Sequence, residues 1–183
     1  MQHVCVLLFG TPSVRARFEG CGVVSRADAR QLGLVGPAGR ACGIPYDVRR
    51  CFPSERYGSL EIPERAETAG DVWARAKVRA DEVMQSIAII ETLLAETVET
   101  KVVDAADLPL APDSVVVTLL EAWRGEASHC ILTDAAGGIR HYKVKDPSFH
   151  NWSGLSMSLR NTGISDFPLN NKSYNLSYCG FDL

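Results

Sequence analysis

The strongest pattern of apolar positions along the chain lies between residues 71 and 100. Apolar side chains recur there at intervals of three, four or seven residues, which predicts one stripe of a long α-helix. The stripe consists of Val72, Ala76, Val83, Ile87, Ile90, Leu94 and Val98. A helix of roughly thirty residues would span about 45 Å. We therefore expect a bundle whose other members lie outside this sequence.

The remaining faces of this long helix carry charged residues, which favour contact with solvent. Arg75 and Arg79 lie four residues apart, so they also form a basic edge that could meet a partner. Gly70 and Asp71 stand where a helix cap is expected.

A second pattern predicts a small antiparallel sheet after residue 114. Residues 127–134 and 139–146 flank a turn with two glycines, Gly137 and Gly138, and its length fits a β-hairpin. Residues 115–123 precede this hairpin, and a helix is expected around 151–160, after Asp146 and Pro147. The predicted fold class is α+β and mainly α: a long-helix bundle with a small antiparallel sheet.

The first fifty residues carry weaker signals. Residues 1–19 begin with an apolar, strand-like segment, and Ser25 is a candidate N-cap for a helix from Arg26 to about Leu34. Gly36 and Pro37 are expected to stop that helix. Residues 36–53 contain so many glycines and prolines that we expect a loop without regular structure.

Composition and charge exclude several classes of protein. With 46% apolar and 22% charged residues, the 183-residue chain is expected to fold as one domain. A net charge of −3 argues against binding to nucleic acid or to an anionic membrane through bulk charge. No apolar run reaches the roughly 20 residues of a membrane span. The six cysteines form no C-x-x-C pair, which argues against a structural zinc site in a cytosolic protein.

Six short strings, taken in order, resemble one protein family. They are residues 19–24, 33–49, 70–86, 121–126, 144–149 and 165–169. Together they are similar to the C-terminal half of the large subunit of nickel–iron hydrogenases, in the energy-converting branch related to the D subunit of respiratory complex I. The resemblance covers residues 12–183 and leaves residues 1–11 as an unmatched N-terminal segment.

The resemblance also predicts that this chain binds no metal. The family holds nickel and iron with two cysteine pairs, and the second is a D-P-C-x-x-C string near the C-terminus. Here Ser177 and Gly180 stand at the two cysteine positions, and Cys179 is out of register. The first pair would belong to an N-terminal half that this sequence does not contain.

Several residues match positions near the centre of the family's site. Arg124 resembles an arginine that overhangs the metals, although Trp123 replaces the family's proline; the alternative is a buried ion pair with Glu121 or Asp166. His129 is a candidate proton-relay group because its ordinary pKa lies near 6.5, or simply a packed residue. Arg124, His129 and Asp166 are therefore candidates for a vestigial catalytic site.

Arg40 and Asp47 are candidates for binding a cofactor near the same centre. The alternative is that they belong to a structural network of ion pairs. No G-x-G-x-x-G string follows a predicted strand, so nicotinamide binding by this chain is not expected.

The function implied by the resemblance is that of an oxidoreductase subunit that is not catalytic on its own. It would belong to a membrane-associated complex that passes electrons from NAD(P)H or ferredoxin to a quinone-type acceptor. The expected partners are an iron–sulfur protein and membrane subunits, which would carry the iron–sulfur cluster, quinone or NAD(H). The expected location is the cytoplasmic face of the inner membrane. The alternative is a truncated, non-catalytic interaction module or the remnant of a split gene.

Overall fold

A computed structural model of the protein describes residues 2–53, 55–95 and 109–179, which contain helices and one small sheet. The helices are α1 Gln2–Gly10, α2 Pro12–Phe18, α3 Arg26–Gln31, α4 Gly36–Arg40, α5 Val48–Cys51, α6 Val72–Ala95, α7 Pro147–Ser158 and α8 Phe167–Tyr174. The strands are β1 Val115–Ala122, β2 Gly125–Thr133 and β3 Ile139–Lys145. Short 3₁₀ helices span Glu55–Ser59 and Ile164–Asp166. This architecture confirms the mainly helical α+β class.

The long helix α6 is the central element. It starts after Asp71, whose Oδ1 accepts a hydrogen bond from the Ala74 amide at 2.8 Å, so the predicted cap is confirmed. Its first half packs against α2, α4 and α8. The predicted end of the helix, residues 96–100, lies outside the described residues.

The three strands form an antiparallel sheet in the order β1-β2-β3. Val117 faces Cys130 across the first pair, and Ser128 faces Lys145 across the second. The predicted hairpin is confirmed, and Asp134 stabilises its turn because its Oδ1 accepts the Gly138 amide at 2.8 Å.

The prediction of a strand-like start was wrong, because residues 2–10 form α1. A short apolar run without alternation is compatible with either a strand or a helix. Helix α2 follows at once, and Pro12 lies in its first turn, where a missing N–H leaves no hydrogen bond unmade.

Two further helices lie where a loop was expected. The Ser25 cap is confirmed, since its Oγ accepts the Asp28 amide at 3.1 Å, but α3 ends at Gln31 rather than near Leu34. Pro37 lies in the first turn of α4, which starts at Gly36, instead of only ending the preceding helix. The expectation of an irregular segment over residues 36–53 was therefore wrong, because α4 and α5 both lie within it.

A close backbone contact joins α4 to the turn between β1 and β2. Gly36 has a φ of +62°, and a β-carbon there would lie 2.4 Å from both the Arg124 carbonyl oxygen and the Gly125 α-carbon. Only glycine fits this position, for both its conformation and its space. The contact fixes the sheet against the helices at its β1–β2 end.

Helix α7 begins earlier than predicted, at Pro147. Asp146 caps it by accepting the Ser148 amide on Oδ1 at 2.7 Å. No helix within residues 2–53, 55–95 and 109–179 is both long and apolar enough to cross a membrane.

Most of the buried apolar residues in the described part of the chain form three small clusters. The first contains Val24, Ala29, Leu34 and Cys42; the second Ala38, Leu155, Tyr174 and Leu176; the third Ala41, Ala74 and Val78. All three involve α4 or the residues beside it, so this short helix lies at the centre of the packing.

Candidate functional site

A buried arginine at the end of α4 forms the centre of the candidate site. Arg40 is only 3% exposed. Its Nε donates to Glu82 Oε1 on α6 at 2.5 Å, and its Nη2 lies 2.9 Å from Glu121 Oε1 on β1. Its Nη1 donates to the Tyr46 carbonyl oxygen at 2.7 Å. One guanidinium therefore joins α6, β1 and the loop before α5.

Asp47 lies beside this group and pairs with Arg49, whose Nη2 is 2.6 Å from Asp47 Oδ2. Asp47 also caps α5, because its Oδ1 accepts the Arg49 amide at 2.9 Å. Burial alone would raise the pKa of Asp47, but the hydrogen bonds and charge of Arg49, with the charge of Arg40, lower it below its ordinary value. The carboxylate is thus held in its ionised form.

At Glu121, burial has the largest effect on the pKa of the carboxylate. Its pKa is raised by burial, although Arg40 and a hydrogen bond from the Val48 amide to Oε2 at 3.0 Å oppose that effect. Three carboxylates, from Asp47, Glu82 and Glu121, share two guanidiniums. Two of these carboxylates, from Glu82 and Glu121, line a cleft of about 210 Å³, together with Arg40, Arg49, Ser86, Ala122 and Trp123.

The predicted partners of Arg124 were wrong. Its Nε donates to the Asn175 carbonyl oxygen, just after α8. Glu121 is instead paired with Arg40, and Asp166 is paired with Arg17. The physical reason is that Arg124 faces the C-terminal end of α8, where carbonyl oxygens carry partial negative charge.

A second arginine, Arg79 on α6, binds the same helix end. Its Nη2 donates to the carbonyl oxygens of Ser173 at 3.0 Å and Tyr174 at 2.7 Å. Its guanidinium also lies 5.8 Å from the centre of the Trp123 ring. Burial lowers the pKa of Arg79 to about 10. The end of α8 is thus fixed by two cations.

Arg75 was interpreted from its charge as part of a solvent-facing side of α6, and that interpretation was wrong. The residue is fully buried. Its guanidinium donates to Gly70 O at 2.8 Å and Gly22 O at 3.1 Å, and to the side chains of Asn170 and Ser173, both at 2.8 Å. It also stacks 4.4 Å from the Tyr174 ring centre.

His129 and Asp166 lie apart from the Arg40 group. His129 is on β2, with Nδ1 2.7 Å from the Tyr142 hydroxyl and the two rings stacked 5.9 Å apart. Asp166 lies in the second 3₁₀ helix and forms its ion pair with Arg17. The structure therefore brings together Arg40 and Asp47, places Arg124 at the end of α8, and brings neither His129 nor Asp166 into contact with them in the described part of the chain.

The residues near the C-terminus do not fit a nickel–iron centre. The Ser177 hydroxyl donates to the Cys179 carbonyl oxygen, and its amide donates to Ser148 Oγ at 3.0 Å. Cys179 is exposed, and Gly180 lies outside the described residues. A hydroxyl is not the soft thiolate ligand that such a centre uses. Across residues 2–53, 55–95 and 109–179, no three His, Cys, Asp or Glu side chains are placed to hold a metal.

The fold is similar to that of a subunit found in a respiratory membrane complex. One solved structure, of "the membrane-bound sulfane sulfur reductase (MBS), an archaeal respiratory membrane complex", contains a similar chain with a TM-score of 0.86 and 28% identity. The match covers 97% of this chain and 50% of that one. The family described as "Respiratory-chain NADH dehydrogenase, 49 Kd subunit" matches residues 1–112. The chain belongs to this family, which confirms the resemblance seen in its sequence.

Curated relatives agree with this assignment. The chain is 36% identical to a carbon monoxide-induced hydrogenase of Rhodospirillum rubrum, and the match covers 86% of this chain and 44% of that one. It is 33% identical to the D subunit of NADH-quinone oxidoreductase from Syntrophobacter fumaroxidans, covering 82% of this chain and 41% of that one. It is 31% identical to the D subunit of F(420)H(2) dehydrogenase from Methanosarcina mazei, covering 83% and 42%. The chain thus spans less than half the length of these relatives.

The family match starts at residue 1, so it includes the segment 1–11 that the sequence strings left unmatched. The division of the chain at residue 12 stays a prediction.

Proposed function

We propose that this chain is a component, similar to the D subunit of complex I, of a membrane-associated oxidoreductase complex, with a structural and coupling role and no metal of its own. The similarity to part of a respiratory membrane complex over 97% of the chain carries this proposal. Ser177 supports the metal-free part, because a serine stands where the related hydrogenases are expected to have a nickel-ligating cysteine.

The cofactors of the reaction belong to partner subunits in this proposal. An iron–sulfur protein lies next to the chain, and membrane subunits anchor the assembly on the cytoplasmic face of the inner membrane. Electrons pass from NAD(P)H or ferredoxin to a quinone-type acceptor without entering this chain. The names of the relatives, among them the D subunits of NADH-quinone oxidoreductase and F(420)H(2) dehydrogenase, support this reaction class.

The arginine–carboxylate site supplies the structural part of the role. Arg40 joins α4, α6 and β1 through two carboxylates that are both largely buried. Breaking a buried pair leaves an uncompensated charge, at a cost of about 3–5 kcal/mol. The site therefore holds these three elements as one unit, so that a displacement of α6 also displaces the sheet.

Purification of the tagged chain from native membranes in a mild detergent tests the proposal. We expect an iron–sulfur protein and membrane subunits in constant ratio with the chain, and iron but no nickel in the complex. Arg40→Met should reduce the yield of complex, whereas the matched variant Arg50→Met should not, since Arg50 forms a surface pair with Glu64.

Two results would contradict the proposal. Stoichiometric nickel bound to the chain would overturn its metal-free character. Recovery of the chain alone, without iron–sulfur or membrane subunits, would instead favour the non-catalytic interaction module.

A further inference from the structure

Carboxylates outnumber guanidiniums in the arginine–carboxylate site. The site contains four carboxylates and two guanidiniums, those of Asp47, Glu82, Glu121, Glu126, Arg40 and Arg49. Arg49 is paired with Asp47, and Arg40 is shared between Glu82 and Glu121. When all six groups are ionised, two negative charges are therefore left over.

Two of the carboxylates lie side by side on the sheet. Glu121 on β1 and Glu126 on β2 are paired residues across the antiparallel strands. Directly opposed side chains lie on the same face of a sheet, with β-carbons about 4.5–5.5 Å apart, and like charges there repel each other. Glu126 accepts a hydrogen bond from the Tyr46 hydroxyl, and within the described ranges no ion pair joins its carboxylate to a cation. The repulsion therefore falls on Glu121, the more deeply buried of the two.

The Glu121 carboxylate is only partly supplied with hydrogen-bond donors. Its side chain is 4% exposed, and Oε2 accepts the Val48 amide at 3.0 Å. Oε1 lies 2.9 Å from Arg40 Nη2, but the alignment does not make a hydrogen bond, so Oε1 has no donor among the described residues. Burial of a charged oxygen without a donor is costly, and a bound proton removes that charge. Burial, with the charge of Asp47, accordingly raises the pKa of Glu121.

The remaining charges around this pair do not neutralise it. The titratable and charged groups on the neighbouring elements are Arg40 of α4, Tyr46, Asp47, Arg49 and Cys51 of the segment around α5, Arg79 and Glu82 of α6, Arg124 of the β1–β2 turn, Lys145 of β3 and His150 of α7. Arg79 and Arg124 both donate to carbonyl oxygens at the end of α8. Burial, with the charge of Lys145, lowers the pKa of His150, so its imidazole is neutral at pH 7.

A cleft connects Glu121 with solvent. Glu121 and Ser86 line this cleft of about 210 Å³ together with Trp123, and Trp123 is 53% exposed. Because one water molecule occupies about 30 Å³ in the liquid, the cleft has room for several. A proton can thus reach the buried carboxylate through water, without a movement of the fold.

We propose that Glu121, with Glu126 beside it, is a proton-binding site that takes up a proton from water in the cleft and returns it there. The step moves one proton and no electrons. A proton on Oε1 makes Glu121 neutral, so Arg40 loses its attraction to β1 and keeps its pair with Glu82 on α6. This inference rests on the proposed function, since it gives the coupling role a specific proton-carrying group.

Infrared difference spectroscopy between acidic and neutral pH tests the assignment on the protein purified from its native membranes. We expect the carbonyl band of a protonated, buried carboxylic acid, with a midpoint above the ordinary 4.5 of a glutamate and a shift in D₂O. Glu121→Gln, which resembles the protonated form, should remove this band. The control Glu64→Gln should leave it unchanged, because the Glu64 side chain is 54% exposed and pairs with Arg50 at the surface.

A second variant keeps Glu121 in place. Glu126→Gln removes the neighbouring charge, so the midpoint of the band should move to lower pH. Far-UV circular dichroism identifies any variant that does not fold, and the Glu126→Gln shift decides the question if Glu121→Gln is one of them.

Four results would overturn the inference: persistence of the band in folded Glu121→Gln, a midpoint at or below the ordinary value, an unmoved midpoint in Glu126→Gln, or a midpoint set by the concentration of a metal cation. If iron–sulfur and membrane subunits co-purify but the band is missing, the proposed function stands and the inference fails. If the band titrates as expected in a chain recovered without those subunits, the proton-binding site stands and the proposed function fails.

Discussion

Replacement of Arg75 by alanine tests how the helices are held together. The side chain is fully buried and donates four hydrogen bonds, to oxygens from the loop before α3, the start of α6 and α8. Two acceptors are backbone carbonyls, of Gly22 and Gly70. In the alanine variant both oxygens lose this donor, although the Gly70 oxygen keeps the hydrogen bond from the Val24 amide at 3.0 Å. A cavity replaces the guanidinium beside the Tyr174 ring.

The expected loss is about 3–5 kcal/mol of unfolding free energy. Hydrogen bonds to a charged group contribute about 1.5–3 kcal/mol each, so four of them would sum to more than this. Burial of the cation, which also lowers the pKa of Arg75, offsets much of that sum. For a chain of this length the midpoint of thermal unfolding should fall by about 10 °C. Urea unfolding followed by circular dichroism measures the difference directly.

Two further variants make the result interpretable. Arg75→Lys keeps the charge but not the planar fork of donors, so it should recover only part of the loss. Arg15→Ala removes an arginine whose side chain is 62% exposed and paired with Glu19, and it should cost less than about 1 kcal/mol. A loss below about 1 kcal/mol for Arg75→Ala would refute the argument, since the buried oxygens would not then depend on this side chain.

Three further predictions concern other parts of the chain. Gly36→Ala should lower the free energy of unfolding in urea by more than about 2 kcal/mol, because its φ is positive and its β-carbon would meet backbone atoms. The control Gly58→Ala has no atom within 4 Å of the new β-carbon and should change stability by less than about 0.5 kcal/mol. Equal effects of the two variants would contradict the prediction. The pKa of Asp47 in the folded protein lies below its ordinary 3.8, so Asp47 stabilises the fold above that pH, and this contribution is lost as the pH falls through the folded pKa. Asp47→Asn should therefore be less stable at pH 7, and its unfolding free energy should depend less on pH in the acid range. An unchanged pH dependence would contradict this prediction. Burial raises the pKa of the Cys42 thiol to about 11. Iodoacetamide at pH 8 should therefore modify the exposed Cys51 first and Cys42 only when the protein unfolds. Similar rates of modification would contradict this prediction, because they would show that Cys42 is accessible in the folded protein.

Features defined by local spacing could be predicted from the sequence. The apolar stripe located α6, the double-glycine turn located the hairpin, and Ser25 and Asp71 marked helix starts. The prediction for residues 36–53 was wrong because it considered how many glycines and prolines the segment contains but not where they lie. A proline in the first turn of a helix, as at Pro37, favours that helix.

The candidate site could be predicted only in part. Arg40 and Asp47 were predicted to bind a cofactor, with a network of ion pairs as the alternative. The sequence does not indicate the partners of Arg40, because Glu82 and Glu121 come from distant elements. Burial of Arg75 was harder still to predict. Its acceptors include backbone carbonyls, which every residue has, so no pattern of side chains signals them.

The contact between Gly36 and Gly125 has a mechanical consequence. Main-chain atoms meet there without an intervening side chain, so the joint has no rotamer that could yield when one side is pushed. We therefore expect Arg124, next to Gly125, to move together with α4. A displacement of either α4 or the β1–β2 turn should reach the other with little local rearrangement.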